Sequence, residues 1–209
     1  MEYYTIPAGP FEVNTYLVFS GGGNRKEGFI LDPGGQAERI DSLIKKENIE
    51  PKFILNTHCH VDHVMMDNYF KGKYGLKIFA NAGEEANLKN IKNSALYFGF
   101  DFEEEIKIDR YLVNGEIIRV GNMEIKTIFT PGHSPGSTSF LVDAKYLFSG
   151  DTIFQGTIGR TDLLGGSSAD IIKSIKERLL PLGDEVIILP GHGEPSTIAD
   201  EKKYNPYLI

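Results

Sequence analysis

The chain has 209 residues, 41% hydrophobic and 24% charged, enough for one domain with a sizeable core and too apolar for a disordered chain. A formal net charge of −7 argues against nucleic acid as the main ligand. One cysteine, Cys59, excludes an intramolecular disulfide, residues 1–7 carry no basic leader, and no run approaches the ~18–20 apolar residues of a membrane span; no membrane partner is expected, and the cytoplasm is the expected compartment.

Val13–Phe19 and residues 28–31 read as strands around a turn at 20–24, and Asp32-Pro33-Gly34-Gly35 stops the second strand. Ile40, Leu43 and Ile44 at helical spacing predict a helix over 36–48. A short strand at 53–55 runs into Asn56-Thr57-His58, followed by a helix over 62–73 and a strand at 77–80. Next come a helix over 84–91 and an irregular loop carrying Tyr97, Phe98, Phe100 and Phe102, aromatics suited either to a pocket wall or to the core. Strands follow at Ile117–Val120, Met123–Phe129, Thr138–Val142 and 146–148, then a helix over 169–180 and a strand at 186–189. Two halves, each with strands first and a helix later, suggest an α/β protein with two packed sheets flanked by helices, an αββα sandwich.

The five histidines stand out. Each follows a short apolar run, beside Gly, Pro, Thr or Asp: His58, His60 and His63 in Thr57-His58-Cys59-His60-Val61-Asp62-His63, His133 after Pro131-Gly132, and His192 after Pro190-Gly191. One such residue is ordinary; three within six residues and two more after Pro-Gly turns form a ligand pattern, because neutral imidazole is the commonest metal ligand. In extended backbone His58 and His60 share a side and can grip one metal. Asp62 and His63 lie one step on and can grip a second, while Asp151 follows another strand and can bridge the two with its carboxylate oxygens. One metal would take His58, His60 and His133, the other Asp62, His63 and His192, with Asp151 shared. Alternation turns Cys59 into the protein, in a structural role. Thr57, Thr130 and Ser149 are candidates to hydrogen-bond the imidazoles or simply to shape turns. Asp62 suits both orienting a hydroxide and capping the next helix.

These residues carry a resemblance. The stretch 57–63 resembles the His-X-His-X-Asp-His signature of the metallo-β-lactamase superfamily, and His133, Asp151 and His192 match its remaining ligand motifs in order. The resemblance spans nearly the whole chain, is most similar to the glyoxalase II (hydroxyacylglutathione hydrolase) branch, and implies one four-layer αββα domain over residues 1–209 with two mixed sheets. It also implies two divalent metal ions per chain, zinc first, with iron or manganese as alternatives, acting as a hydrolase on a small-molecule thioester such as S-D-lactoylglutathione, with Asp62 catalytic. Oligomeric state is left open.

Two departures bear on substrate. Residues 154–162 follow Asp151 and belong at the rim of the site, where Arg160 could meet an anionic substrate group or pair with Asp162 or Glu194. Glyoxalase II offers a lysine and an aromatic in the comparable loop, whereas here Asp162 stands near the aromatic's place; its C-terminal helical region has no counterpart in residues 194–209. Gly159-Arg160-Thr161-Asp162 also resembles a stretch of the persulfide dioxygenases, which hold one iron through two histidines and an aspartate; a mono-iron oxygenase is therefore the alternative, although Ile158 stands where that family usually has a cysteine. A β-lactamase, a nuclease and a non-catalytic scaffold fit less well.

Overall fold

A computed structural model describes residues 1–22, 25–102 and 104–209; residues 23 and 24, inside the turn expected at 20–24, lie outside the described residues. The first half contributes strands β1 (Glu2–Ala8), β2 (Val13–Phe19), β3 (Lys26–Leu31), β4 (Ile49–Leu55), β5 (Ile78–Ala80) and β6 (Arg110–Tyr111), paired in that order in one sheet. The first three run antiparallel and the rest parallel, so the sheet is mixed. Helices α1 (Ala37–Lys46), α2 (Val61–Val64), α3 (Asp67–Tyr74), α4 (Glu85–Lys89) and α5 (Ile91–Tyr97) connect them.

The second half supplies β7 (Ile117–Val120), β8 (Met123–Phe129), β9 (Thr138–Val142) and β10 (Tyr146–Gly150), then the small hairpin β11 (Ile153–Phe154) and β12 (Thr157–Ile158), helix α6 (Ser168–Ser174), strands β13 (Ile187–Pro190) and β14 (Ser196–Thr197), and α7 (Ile198–Tyr204). The second sheet has the order β14-β13-β10-β9-β8-β7 and is also mixed, since only β10 and β13 run parallel.

Burial explains the layering. On β2, Tyr16 and Val18 face the second sheet, where Phe140, Phe148 and Leu189 meet them. The alternate residues Leu17 and Phe19 face outward into a second core with Ile40 and Ile44 of α1 and Phe70 of α3. A strand apolar on both faces must be covered on both. Beyond the second sheet, Leu141, Leu147 and Ile188 pack on Ile171, Ile175, Leu179 and Ile198. Three cores separate four layers, the expected αββα sandwich.

Several boundaries differ from expectation, each for a local reason. The strand expected at 53–55 starts at Ile49 and contains Pro51, opposite a register shift on β3; a proline there masks the pattern. The helix expected over 62–73 is two helices, because the Met66 N–H donates to the Pro33 carbonyl (2.8 Å) instead of continuing the helical ladder. The helix expected over 84–91 breaks at Asn90, and the loop expected to carry Tyr97 forms α5. The helix expected over 169–180 is α-helical to Ser174, then widens into a π-helical turn. Strand β1 and helix α7, the latter capped by Thr197 on the Asp200 N–H (3.1 Å), were not anticipated. Among the described residues, no helix is long and apolar enough to cross a membrane.

The segments that follow β4, β8, β10 and β13 gather at one end of the sandwich and carry all five histidines and Asp151, His63 from within α2 and the others from loops. Helix α6 sits so close to the β8 loop that a Cβ on Gly132 would stand 2.2 Å from the Ile171 nitrogen, and Gly132 has φ +141°. Gly132→Ala should therefore cost about 2–5 kcal/mol in urea unfolding, from strain plus overpacking. Gly99→Ala, at φ +77° with open space around it, should cost only about 1–2 kcal/mol. Equal costs at the two positions would contradict this packing.

Candidate metal centre

Two clusters converge. His60 Nδ1 and His58 Nε2 lie 2.9 and 3.2 Å from His133 Nε2, and Asp62, His63 and His192 form a second group, with His192 Nε2 3.3 Å from His63 Nε2 and 3.4 Å from Asp62 Oδ2. The Asp151 carboxylate stands between them: Oδ1 is 3.5 Å from His63 Nε2, and Oδ2 is 3.6 Å from both His133 Nε2 and His192 Nε2. All seven residues expected from the sequence meet here, in the expected division, and His58, His63 and Asp151 also lie within a single ion's reach.

The outer ring nitrogens decide what the inner ones offer. His133 Nδ1 donates to the Arg160 carbonyl (2.8 Å) and His192 Nδ1 to the Phe11 carbonyl (2.8 Å). His63 Nδ1 donates to Asp32 Oδ2 (3.0 Å). The Thr57 hydroxyl spends its proton on Asp32 Oδ2 (2.6 Å), so it accepts from His58 Nδ1 (3.1 Å). With Nδ1 committed to an outer partner, each of these rings turns its Nε2 inward, where the neutral form offers a lone pair. Facing lone pairs repel unless a cation sits among them. Asp151 Oδ1 adds to this: it is buried and has no hydrogen-bond partner, a costly state for a carboxylate oxygen that a cation relieves. The donor set fits a His/Asp two-metal centre.

Electrostatics separate the clusters. Burial holds the His58 imidazole well below its ordinary value, and burial together with His133 brings His60 down to about 3, so both are neutral and ready to bind. Burial also lowers His63, but the carboxylates of Asp151, Asp62 and Asp32 outweigh it and hold the ring protonated up to about 10. For Asp62, burial is overcome by the charges of His63 and His192, which keep it ionised well below the usual carboxylate range.

A cavity of about 420 Å³ opens over the centre, walled by Phe11, Phe98, Phe154 and Leu163, with Arg160 at its rim. Of the four loop aromatics, Phe98 joins the wall, whereas Phe102 is buried in the core. Arg160 pairs with Asp162 in both nitrogens' reach (2.7 and 2.8 Å). Cys59 is buried, as alternation implies. Other expectations need correction. His63 and Asp62 sit inside α2, within the helix expected there, but Asp62 makes no cap, since His60 occupies the N-cap position. Thr57 does reach an imidazole, but Thr130 bonds Ser139 and Thr152, and Ser149 bonds backbone carbonyls of Gly150 and Ile153.

Asp32 escaped the sequence reading, which saw in it only a strand stop. It is buried, has φ +47°, and accepts from the Thr57 N–H (2.7 Å), the Thr57 hydroxyl and His63. A non-glycine residue held at positive φ at such a place is strain that the surrounding bonds sustain. Asn14 was also missed; its side chain holds the His192 loop through the Pro190 and Gly193 carbonyls (3.1 and 2.9 Å). Asp32→Asn should weaken metal binding about 10- to 100-fold, measured by chelator competition; unchanged affinity would contradict the role given to Asp32. In protein stripped of metal, imidazole nitrogen shifts should show His63 protonated up to about pH 10 and His60 neutral down to about pH 3. Because the His63 value is raised, its contribution to the stripped protein's stability is present below about 6.5 and fades as pH rises through about 10.

With this geometry in hand, the relatives are informative. The family model described as the metallo-β-lactamase superfamily matches residues 8–192. A probable metallo-hydrolase YqgX of Bacillus subtilis is 35% identical over 212 residues, covering 100% of this chain and 98% of its own. The hydroxyacylglutathione hydrolase GloC of Haemophilus influenzae is 36% identical over 211 residues, with the same coverage. Among solved structures, the BLEG-1 B3 metallo-β-lactamase superposes with a TM-score of 0.90 at 34% identity, covering 99% of each chain. TTHA1623 in a di-iron-bound form gives 0.87 at 31%, covering 98% of this chain and 100% of that one. Fold, ligand order and relatives agree: this chain belongs to the metallo-β-lactamase superfamily.

Proposed function

We propose that residues 1–209 form a single two-metal hydrolase domain whose substrates are small-molecule thioesters, S-D-lactoylglutathione or a related acyl thioester. The observation that carries this reading is Asp151, whose two oxygens face the two histidine clusters from between them. His58, His60 and His133 would hold one cation and Asp62, His63 and His192 another, with Asp151 between them; zinc, or iron as in the di-iron relative, would there supply a hydroxide at neutral pH and polarise a carbonyl. The GloC relative supports the thioester class.

The chain's own residues have definite tasks. Asp62, ionised and at the cavity floor, can accept a proton and orient the nucleophile through its carboxylate. Phe11, Phe98, Phe154 and Leu163 exclude water around the acyl carbon. The Arg160 carbonyl orients His133, while its guanidinium, at the rim, is among the described residues the one cationic side chain lining the cavity besides the histidines and is the substrate-binding candidate. Asp162 already neutralises it, so the reading extends to uncharged thioesters as well as to glutathione's. A thiolate leaves without a dedicated acid, which suits a cavity where Asp62 is ionised and, among the described residues, the other carboxylate in the lining is the ligand Asp151.

The test pairs elemental analysis with a thioester panel. The wild-type protein should carry two metal ions per chain and hydrolyse at least one thioester, and His60→Ala should abolish that activity. Asp62→Asn should lower kcat by about 100-fold or more. Inactivity across the panel would remove the thioester reading. One iron per chain with oxygen uptake on a persulfide would favour the dioxygenase alternative instead.

A further inference from the structure

Glu84 ends the 3-10 turn Ala82–Glu84 and is fully buried, yet among the described residues it forms no ion pair. Its carboxylate is ringed by donors. Oε2 accepts from the Cys59 N–H (2.8 Å) and the Asn87 side chain (2.8 Å); Oε1 accepts from the Ser134 hydroxyl (2.6 Å) and the Gly136 N–H (2.8 Å). Four donors and no cation are how a buried carboxylate is satisfied without a salt bridge, and hydrogen bonds to a charged acceptor are the strong kind.

The places those donors come from matter more than their number. Cys59 is the residue between His58 and His60, and Ser134 follows His133. One carboxylate thus ties the peptide linking two imidazoles of the three-histidine cluster to the loop that carries the third. The approach is made possible by small residues: a Cβ on Gly136 would stand 2.7 Å from Glu84 Oε1, and one on Gly83 would stand 2.9 Å from the Gly136 Cα. The other cluster is held by different groups, His63 by Asp32 and His192 by the Phe11 carbonyl.

We propose that Glu84 is the positioning residue of the His58–His60–His133 cluster: by fixing Cys59 and the Ser134–Gly136 turn at once, it sets the spacing of those three nitrogens and hence the affinity of that metal position alone. This rests on the two-metal reading above. Asp32 and Glu84 then divide the work, Asp32 holding His63 and the Thr57 hydroxyl that receives His58, Glu84 holding the loops themselves. Nothing in the sequence marks Glu84, since Gly83-Glu84-Glu85-Ala86 reads as an ordinary polar helix start.

The experiment is a cobalt(II) titration of the full-length protein after stripping with a chelator, following visible absorption against a competing chelator. His133→Ala identifies the step that belongs to the three-histidine cluster. Glu84→Gln keeps the volume but opposes two donors with an amide NH2, and should weaken that step about 10- to 100-fold while leaving the other nearly unchanged. Ser134→Ala removes one of the two bonds that tie Glu84 to the His133 loop, leaving the Gly136 N–H, and should shift the same step in the same direction by a smaller factor; it serves as the readout if Glu84→Gln fails to fold. Asn87→Ala, whose donor lies on neither ligand loop, should leave both steps as in the wild type. Wild-type binding in Ser134→Ala and in any folded Glu84→Gln, or an equal weakening of both steps, would overturn the proposal. Fewer than two cobalt equivalents in the wild type would instead end the two-metal reading, and this proposal with it.

Discussion

Five imidazoles crowd into a space where their inward nitrogens stand about as close as hydrogen-bonded atoms, although four of them have already committed their protons outward, to Thr57, Asp32, the Arg160 carbonyl and the Phe11 carbonyl. Such an arrangement is unfavourable in itself. It persists because the outer hydrogen bonds are rooted in rigid parts of the fold, and it becomes favourable when positive charge enters. The same logic explains the contrast between His60, which burial and its neighbours keep neutral, and His63, on which three carboxylates retain a proton. That proton occupies, electrostatically, the role of a cation.

The sandwich supplies the rooting. Four strands from two sheets end on one side, and each passes directly into a ligand loop, so the positions of the ligands are inherited from strand register rather than from flexible connections. Cross-links between the sheets tighten this further: the Thr138 N–H donates to the Thr57 carbonyl (2.8 Å), and the Asn14 N–H to the Gly191 carbonyl (2.7 Å). Fixing donors on strand ends in this way limits the reorganisation that a metal or a transition state would otherwise require.

Much of the site could be read from the sequence because its chemistry uses few residue types. Histidines at strand ends beside Pro-Gly turns have little alternative use, and period-two geometry separates His58 and His60 from buried Cys59. The sandwich was legible because the chain runs twice through strands first and a helix later, a rhythm that two packed sheets with helices outside them satisfy. The supporting carboxylates were not. Asp32 lies in a Pro-Gly-Gly turn and Glu84 in a polar stretch, and both look like solvent-facing residues until the fold buries them. The helix break after Val64 was hidden too, since it depends on the Pro33 carbonyl, more than thirty residues away along the chain, capturing the Met66 N–H. What a linear pattern cannot express is which distant group satisfies a given donor.

The most direct test is anomalous diffraction from crystals of the metal-loaded protein. The account predicts two peaks roughly 3.5–4 Å apart, one beside His58, His60 and His133 and the other beside Asp62, His63 and His192, with Asp151 touching both and the outer imidazole bonds unchanged. A single peak, or imidazoles turned away from their outer partners, would contradict it.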